Sequence, residues 1–264
     1  MVMVRIAHLA DTHLGYKQYN LEEREQDIYD ALEEIASKIL EESVDIVLHS
    51  GDLFDSWRPT ARAYYEFKKF LNKLDKMKVK VYTILGDHDR PKKLGLPPHR
   101  LFEDKIEILG IASAEHRILK LNDEELFIAG ISNLNRRYRE VLLQELKKLD
   151  IQAAKYKKSI LMLHQAIDKF APEEVFEVKL EELPRNFKYI AMGHLHTRVR
   201  ATHGNGELAY PGSIEILRRD EITGYEKHGK GFYLIDIEGD EARISEVKLN
   251  VRPQIKAKLS YAEF

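Results

Sequence analysis

The sequence predicts an α/β fold in which two mixed β-sheets lie face to face, flanked by helices. Three observations predict it. Short apolar, β-branched runs alternate with amphipathic helical stretches through the first two thirds of the chain. The last third changes to short strands separated by Gly-rich turns. The composition, 264 residues of which 44% are hydrophobic, suffices for one large core.

The runs Val4 to Leu9, Ile46 to His49, Val79 to Leu85, Ile160 to Leu163 and Tyr189 to Met192 read as buried strands. Between the first two, about Leu21 to Glu42 is helical: Ile28, Leu32, Ile35 and Ile39 share one face, and Asn20 with Glu23 resembles a capping box. A second helix, about Thr60 to Met77, follows Arg58-Pro59. A third covers about Tyr138 to Tyr156. Later strands fall at Glu207 to Tyr210, Gly231 to Asp236 and Arg243 to Val251. Residues 1–250 therefore read as one domain, and 251–264 as a linker or the start of a truncated further domain.

Composition removes several function classes. Cysteine is absent, which excludes disulfides, thiolate metal sites and thiol nucleophiles. No apolar run approaches the roughly 20 residues of a membrane span, and the N-terminus lacks a signal-peptide pattern, so a cytoplasmic protein is expected. The net charge of -2 is unlike a typical nucleic-acid binder. Two bound divalent cations would turn that balance positive, so the charge decides little.

The chemistry is carried by motifs that each follow a predicted strand: Asp11-Thr12-His13, Gly51-Asp52-Leu53-Phe54-Asp55, Gly86-Asp87-His88-Asp89, His164-Gln165 and Gly193-His194-Leu195-His196. In α/β folds, strand carboxyl ends gather at one crevice, so these can converge. One such motif means little, because a lone His at a strand end is more often structural than a ligand. All of them in order are what a two-metal hydrolase needs: a bridging carboxylate, neutral imidazoles and a water between two cations about 3.5 to 4 Å apart. Asp52 is the expected bridge, with Asp11, His13 and His196 on the first metal and Asp87, His164 and His194 on the second. Oxygen and imidazole donors without thiolate suit Mn²⁺ best, with iron, cobalt, nickel or zinc as substitutes. His88 is the expected proton donor to the leaving oxygen, with Asp55 orienting its ring.

These residues match the calcineurin-like metallophosphoesterase pattern D-x-H, G-D-x-x-D, G-N-H-D/E, a lone H and G-H-x-H over Ile6 to His196. Within that family, His8 to Tyr16, Gly51 to Phe54, Leu161 to Gln165 and Tyr210-Pro211-Gly212-Ser213 resemble the archaeal meiotic-recombination-eleven and SbcD type of DNA double-strand-break repair nuclease. The resemblance implies the metallophosphoesterase sandwich, duplex exonuclease and single-strand endonuclease action, and a coiled-coil, SMC-like ATPase partner docking beyond the nuclease domain. It also implies a capping domain after residue 250. Asp87 departs from the family's usual Asn, keeping an oxygen donor while adding a negative charge to the cage.

Cations beside the motifs are candidate DNA contacts: Arg58, Arg90, Lys92 and Arg198, with Tyr16 and Lys17. The helix around Tyr64 to Leu74 is apolar over more than one face, which with the resemblance predicts a homodimer there. Gly224 to Lys230 has phosphate-loop spacing but lacks the Ser or Thr after Lys230, so it reads as a turn whose Lys227 and Lys230 at most touch DNA phosphates. Two rivals remain: the same metal site acting on a small phosphodiester or phosphoprotein, and a non-catalytic scaffold.

Overall fold

A computed structural model describes residues 3–91, 95–121 and 124–257. Among these, two six-stranded sheets stack face to face. The first is built from β1 (Val4–Leu9), β2 (Ile46–Ser50), β3 (Lys80–Ile84), β4 (Glu107–Ile108), β11 (Gly231–Glu238) and β12 (Glu241–Lys248), in the order β12-β11-β1-β2-β3-β4. The second contains β5 (Glu115–Leu121), β6 (Glu124–Ile131), β7 (Lys158–His164), β8 (Tyr189–Gly193), β9 (Val199–His203) and β10 (Gly206–Tyr210), in the order β5-β6-β7-β8-β10-β9. Strands β1 to β4 run parallel, as do β6, β7, β8 and β10; the remaining pairs are antiparallel. The expected sandwich is present.

Alternation along each strand divides the core into layers. Ile6, Leu48, Tyr82 and Ile84 face Ile128, Ile160, Met162 and Tyr189 between the sheets. On the outer side of the first sheet, Ala7, Leu9 and Val47 meet α1 (Glu22–Glu41) and α2 (Ala61–Lys76). On the outer side of the second, Phe127, Leu161 and Leu163 meet α3 (Arg139–Ala153) through Leu142, Leu146 and Leu149. Ile28, Leu32, Ile35 and Ile39 of α1 are all buried, each burial worth roughly 2 kcal/mol.

Helix ends differ from the sequence reading in one respect. Thr60 caps α2, its hydroxyl accepting from the Ala63 amide. The capping box expected at α1 does not form: Asn20 lies at φ 58° in the turn before the helix, and Leu21 holds the cap position. The acidic first turn of Glu22, Glu23 and Glu25 complements the helix dipole instead. After β12, Asn250 bonds to Glu34 and Arg252 to Asp27, which ties this stretch to α1, while Gln254 bonds to Gln18 and the Ile216 oxygen; positions 258–264 of the expected further segment lie outside the described residues. Among the described residues no helix is long and apolar enough to cross a membrane.

Candidate metal centre

β1, β2, β3, β7 and β8 all present their carboxyl ends to one rim. β7 pairs with β8 so that His164 sits beside Gly193, and the turns after β1, β2 and β3 close over them. The turns are tight. Gly51 has φ +89°, and a Cβ there would lie 2.4 Å from His164 Nδ1. A Cβ on Gly193 would lie 1.9 Å from the Ser50 oxygen, so the His164 turn and the β2 end approach only through glycines. Asp11, His13, Asp52 and His194 themselves occupy the left-handed region at φ 51°, 43°, 53° and 93°. Such conformations are disfavoured for residues with a Cβ and persist only where surrounding contacts impose them.

The predicted ligands converge. Asp11, His13 and His196 offer donor atoms within 4.8 Å of one another, as do Asp87, His164 and His194. Between the two groups stands Asp52: its Oδ2 is 3.6 Å from His13 Nε2 and 3.4 Å from His164 Nε2. The other Asp52 oxygen accepts the His88 amide at 3.0 Å. Asp11 accepts the His194 amide at 3.0 Å, tying the first turn to the last.

Three of the imidazoles are aimed from behind. His164 Nδ1 lies 2.8 Å from the Ser50 carbonyl, His13 Nδ1 is 3.3 Å from the Asp55 carboxylate, and His196 Nδ1 is 2.7 Å from Glu221. A proton held on Nδ1 leaves the Nε2 lone pair facing inward. His13 Nε2 and His196 Nε2 accordingly approach to 3.1 Å, and His194 Nδ1 lies 3.2 Å from His164 Nε2. Nitrogens that face one another this closely cannot both carry protons, so each pair offers at least one bare lone pair inward, an arrangement that fits a shared cation. The donor chemistry, imidazole and carboxylate without thiolate, suits a divalent metal.

Electrostatics follow the same geometry. Burial pushes the Asp52 carboxyl up, but His164 and His13 outweigh it and hold it well below the ordinary carboxylate range. Burial acts on Asp87 in the same way and is overcome by hydrogen bonds with His164 and His194. Burial lowers His164, yet Asp52 and Asp87 raise its basicity well above that of a free imidazole. His196 goes the other way: burial dominates and lowers it.

Asp55 acts differently from the sequence reading. The His88 ring donates from Nδ1 to the main-chain oxygen of Asp55 at 2.7 Å, whereas the Asp55 carboxylate is the partner of His13. Two contributors were missed. Asp89 is fully buried and accepts from the amides of Leu53, Phe54 and Gly86, locking the Asp52 and Asp87 turns together. Its signal was its place at the end of Gly-Asp-His-Asp. Glu221 backs His196 from a segment remote in sequence, for which only the nearby Pro-Gly-Ser motif gave a hint.

The candidate DNA contacts divide. Arg58 is exposed and stacks on Trp57 at 4.2 Å. Tyr16 packs partly against the α1 and α2 core, and Lys17 pairs with Glu22 at 2.6 Å. Arg90 turns inward to the carbonyls of Asn133 and Ile111. Arg198 is a correction: it is 5% exposed, its guanidinium bonding to the Val247 oxygen at 2.7 Å and pairing with Glu246 at 3.1 Å. Lys92 lies outside the described residues. Gly224 to Lys230 is a further correction: Ile222–His228 forms α4, not a turn, and Lys230 is buried beneath it. In α2, Phe70, Leu71 and Leu74 face the protein's own core, leaving Tyr65 as the exposed aromatic.

The chain is similar to curated proteins named DNA double-strand break repair protein Mre11. That of Thermoplasma acidophilum is 42% identical over 94% of this chain and 66% of its own length; that of Methanocaldococcus jannaschii is 43% identical over 91% and 64%. The chain thus spans a little under two thirds of these relatives. A solved dimetal phosphatase from Danio rerio shares the fold with a TM-score of 0.57 and 14% identity, covering 91% of this chain and 98% of that one. The sequence family described as calcineurin-like phosphoesterase matches residues 4–198, the segment that carries every strand-end motif above, and the chain belongs to that family.

Proposed function

We propose that the chain is the nuclease domain of a DNA double-strand-break repair protein, hydrolysing phosphodiesters at a pair of Mn²⁺ ions. The observation that carries the reading is the position of Asp52 Oδ2, 3.6 Å from His13 Nε2 and 3.4 Å from His164 Nε2, which joins two imidazole-carboxylate groups through one oxygen. The DNA substrate rests on the similarity to the archaeal repair proteins. Asp11, His13 and His196 would hold one cation, Asp87, His164 and His194 the other, and Asp52 both. When bound, such a pair activates water and neutralises charge on the phosphate.

The chain's own residues supply the rest. Asp52 and the turns locked by Asp89 fix the spacing of the two groups. His88, its Nδ1–H held by the Asp55 carbonyl, presents Nε2 outward, and as an imidazolium it would give the Nε2 proton to the departing oxygen. Arg58, exposed on the rim, is a phosphate contact. Exonuclease action on duplex ends and endonuclease action on single strands, a homodimer through the exposed Tyr65 side of α2, and a coiled-coil ATPase partner belong to the same reading.

Incubating a labelled duplex and a small aryl phosphodiester with the purified chain in Mn²⁺, Mg²⁺ or EDTA tests it. Duplex degradation that requires Mn²⁺ is expected. Turnover of the small diester alone would move the chain to a small-substrate phosphoesterase.

A further inference from the structure

Behind His196 lies a charged cluster that the proposed reaction does not use. Glu221 is 4% exposed, Lys230 3% and Ser213 0%. Glu221 divides its two oxygens. Oε1 sits 2.7 Å from His196 Nδ1 and accepts the Arg218 amide at 3.0 Å. Oε2 lies 2.5 Å from Lys230 Nζ, 2.9 Å from Ser213 Oγ and 3.3 Å from the Leu217 amide. Lys230 Nζ also donates to the His196 carbonyl at 2.9 Å, so the ammonium grips both the carboxylate and the backbone of the residue that the carboxylate orients.

A buried ion pair is costly and is weak evidence for stability by itself. His164 shows that a main-chain oxygen suffices to hold an imidazole. Unlike an amide, a carboxylate only accepts, and unlike a neutral carbonyl it also draws the ring proton to Nδ1 by charge. We propose that Glu221 is a positioning residue that fixes the tautomer and aim of His196, with Lys230 and Ser213 keeping Glu221 ionised and in one rotamer. The inference rests on the two-metal reading. It assigns Lys230, the last residue of the phosphate-loop-like Gly224 to Lys230, to the metal centre rather than to DNA.

Glu221→Gln is the test, because the amide offers Nδ1 either an acceptor or a donor with little change of shape. Two readouts apply: nitrogen-15 shifts of His196 in the metal-free chain, in alkaline buffer, and Mn²⁺ titration calorimetry. Wild type is expected to show a protonated Nδ1 and a bare Nε2. Glu221→Gln is expected to mix the tautomers and to weaken one of two Mn²⁺ sites by about tenfold to a hundredfold, leaving the other unchanged. Wild-type tautomer and affinities in a folded Glu221→Gln would overturn the proposal.

If that variant fails to fold, Ser213→Ala carries the test, since it loosens Oε2 without touching Oε1. Several-fold weakening at one site supports the proposal, and wild-type binding at both overturns it. A wild-type chain that binds no Mn²⁺ would sink the two-metal reading instead, while the tautomer measurement would still judge the role of Glu221.

Discussion

His88 Nδ1 lies 2.7 Å from the main-chain oxygen of Asp55 but 3.8 Å from its carboxylate, so the backbone aims the ring and the side chain is free to serve His13. The two residues therefore separate on mutation. His88→Ala should lower turnover by about 10²- to 10⁴-fold with Mn²⁺ affinity retained. Asp55→Asn should weaken Mn²⁺ binding about tenfold and recover most of its turnover at saturating metal. Steady-state kinetics over a Mn²⁺ series distinguish them; a turnover loss in Asp55→Asn that metal does not restore would return the carboxylate to His88.

Asp87 Oδ1 lies 3.2 Å from His164 Nε2 and 3.1 Å from His194 Nδ1, where its family pattern has Asn. Asp87→Asn keeps the oxygen and removes the charge. It should fold normally, bind Mn²⁺ about tenfold more weakly, and turn over at least as fast at saturating metal, because a less neutralised cation is the stronger Lewis acid. Loss of turnover at saturating Mn²⁺ would show that the carboxylate is needed for more than holding the ion.

His8 gives the fold an acid-sensitive point away from the metal groups. It bridges the sheets, its Nδ1 2.7 Å from Tyr189 Oη and its Nε2 3.0 Å from Ser50 Oγ, and burial pushes it from 6.5 down to about 3. The unfolded chain therefore takes up this proton first. The contribution is complete above 6.5 and is lost progressively as pH falls toward 3. By about pH 5 the loss from this residue is about 2 kcal/mol. Denaturant unfolding of His8→Gln across this range should show a shallower acid limb by that amount; superimposable limbs would contradict it.

Arg198 and Arg58 should behave oppositely. Arg198→Ala removes a buried guanidinium that bonds to the Val247 oxygen and to Glu246, and should cost about 1–3 kcal/mol of stability with DNA affinity unchanged. Arg58→Ala should leave the melting temperature unchanged, weaken DNA binding, and reduce the salt slope of log K by about one. Reduced DNA affinity in a fully folded Arg198→Ala would contradict the inward assignment.

Legibility followed locality. The strand-end ligands were readable because each motif is local and the carboxyl ends of parallel strands must meet at one rim. The apolar face of α1 was readable because Ile28, Leu32, Ile35 and Ile39 repeat at helical spacing. β4, β5, β6 and β9 were not named: β4 is two residues long, and β5, the start of β6 and β9 carry charged or polar residues among their apolar ones. Glu221 and Arg198 escaped because their roles depend on partners brought near only by folding. Charge beside a motif suggested DNA at Arg198, and Glu246 with the Val247 oxygen claimed it instead. Asp55 was placed in the right site with the wrong atom, since spacing cannot separate a side-chain oxygen from a main-chain one.

Calorimetric titration of the purified chain with Mn²⁺, beside His164→Ala and Asp52→Ala, tests the joined pair of cation positions most directly. The account predicts two ions for wild type, one for His164→Ala, and weakening of both in Asp52→Ala. A single ion in wild type, or an Asp52→Ala chain that loses only one, would contradict it.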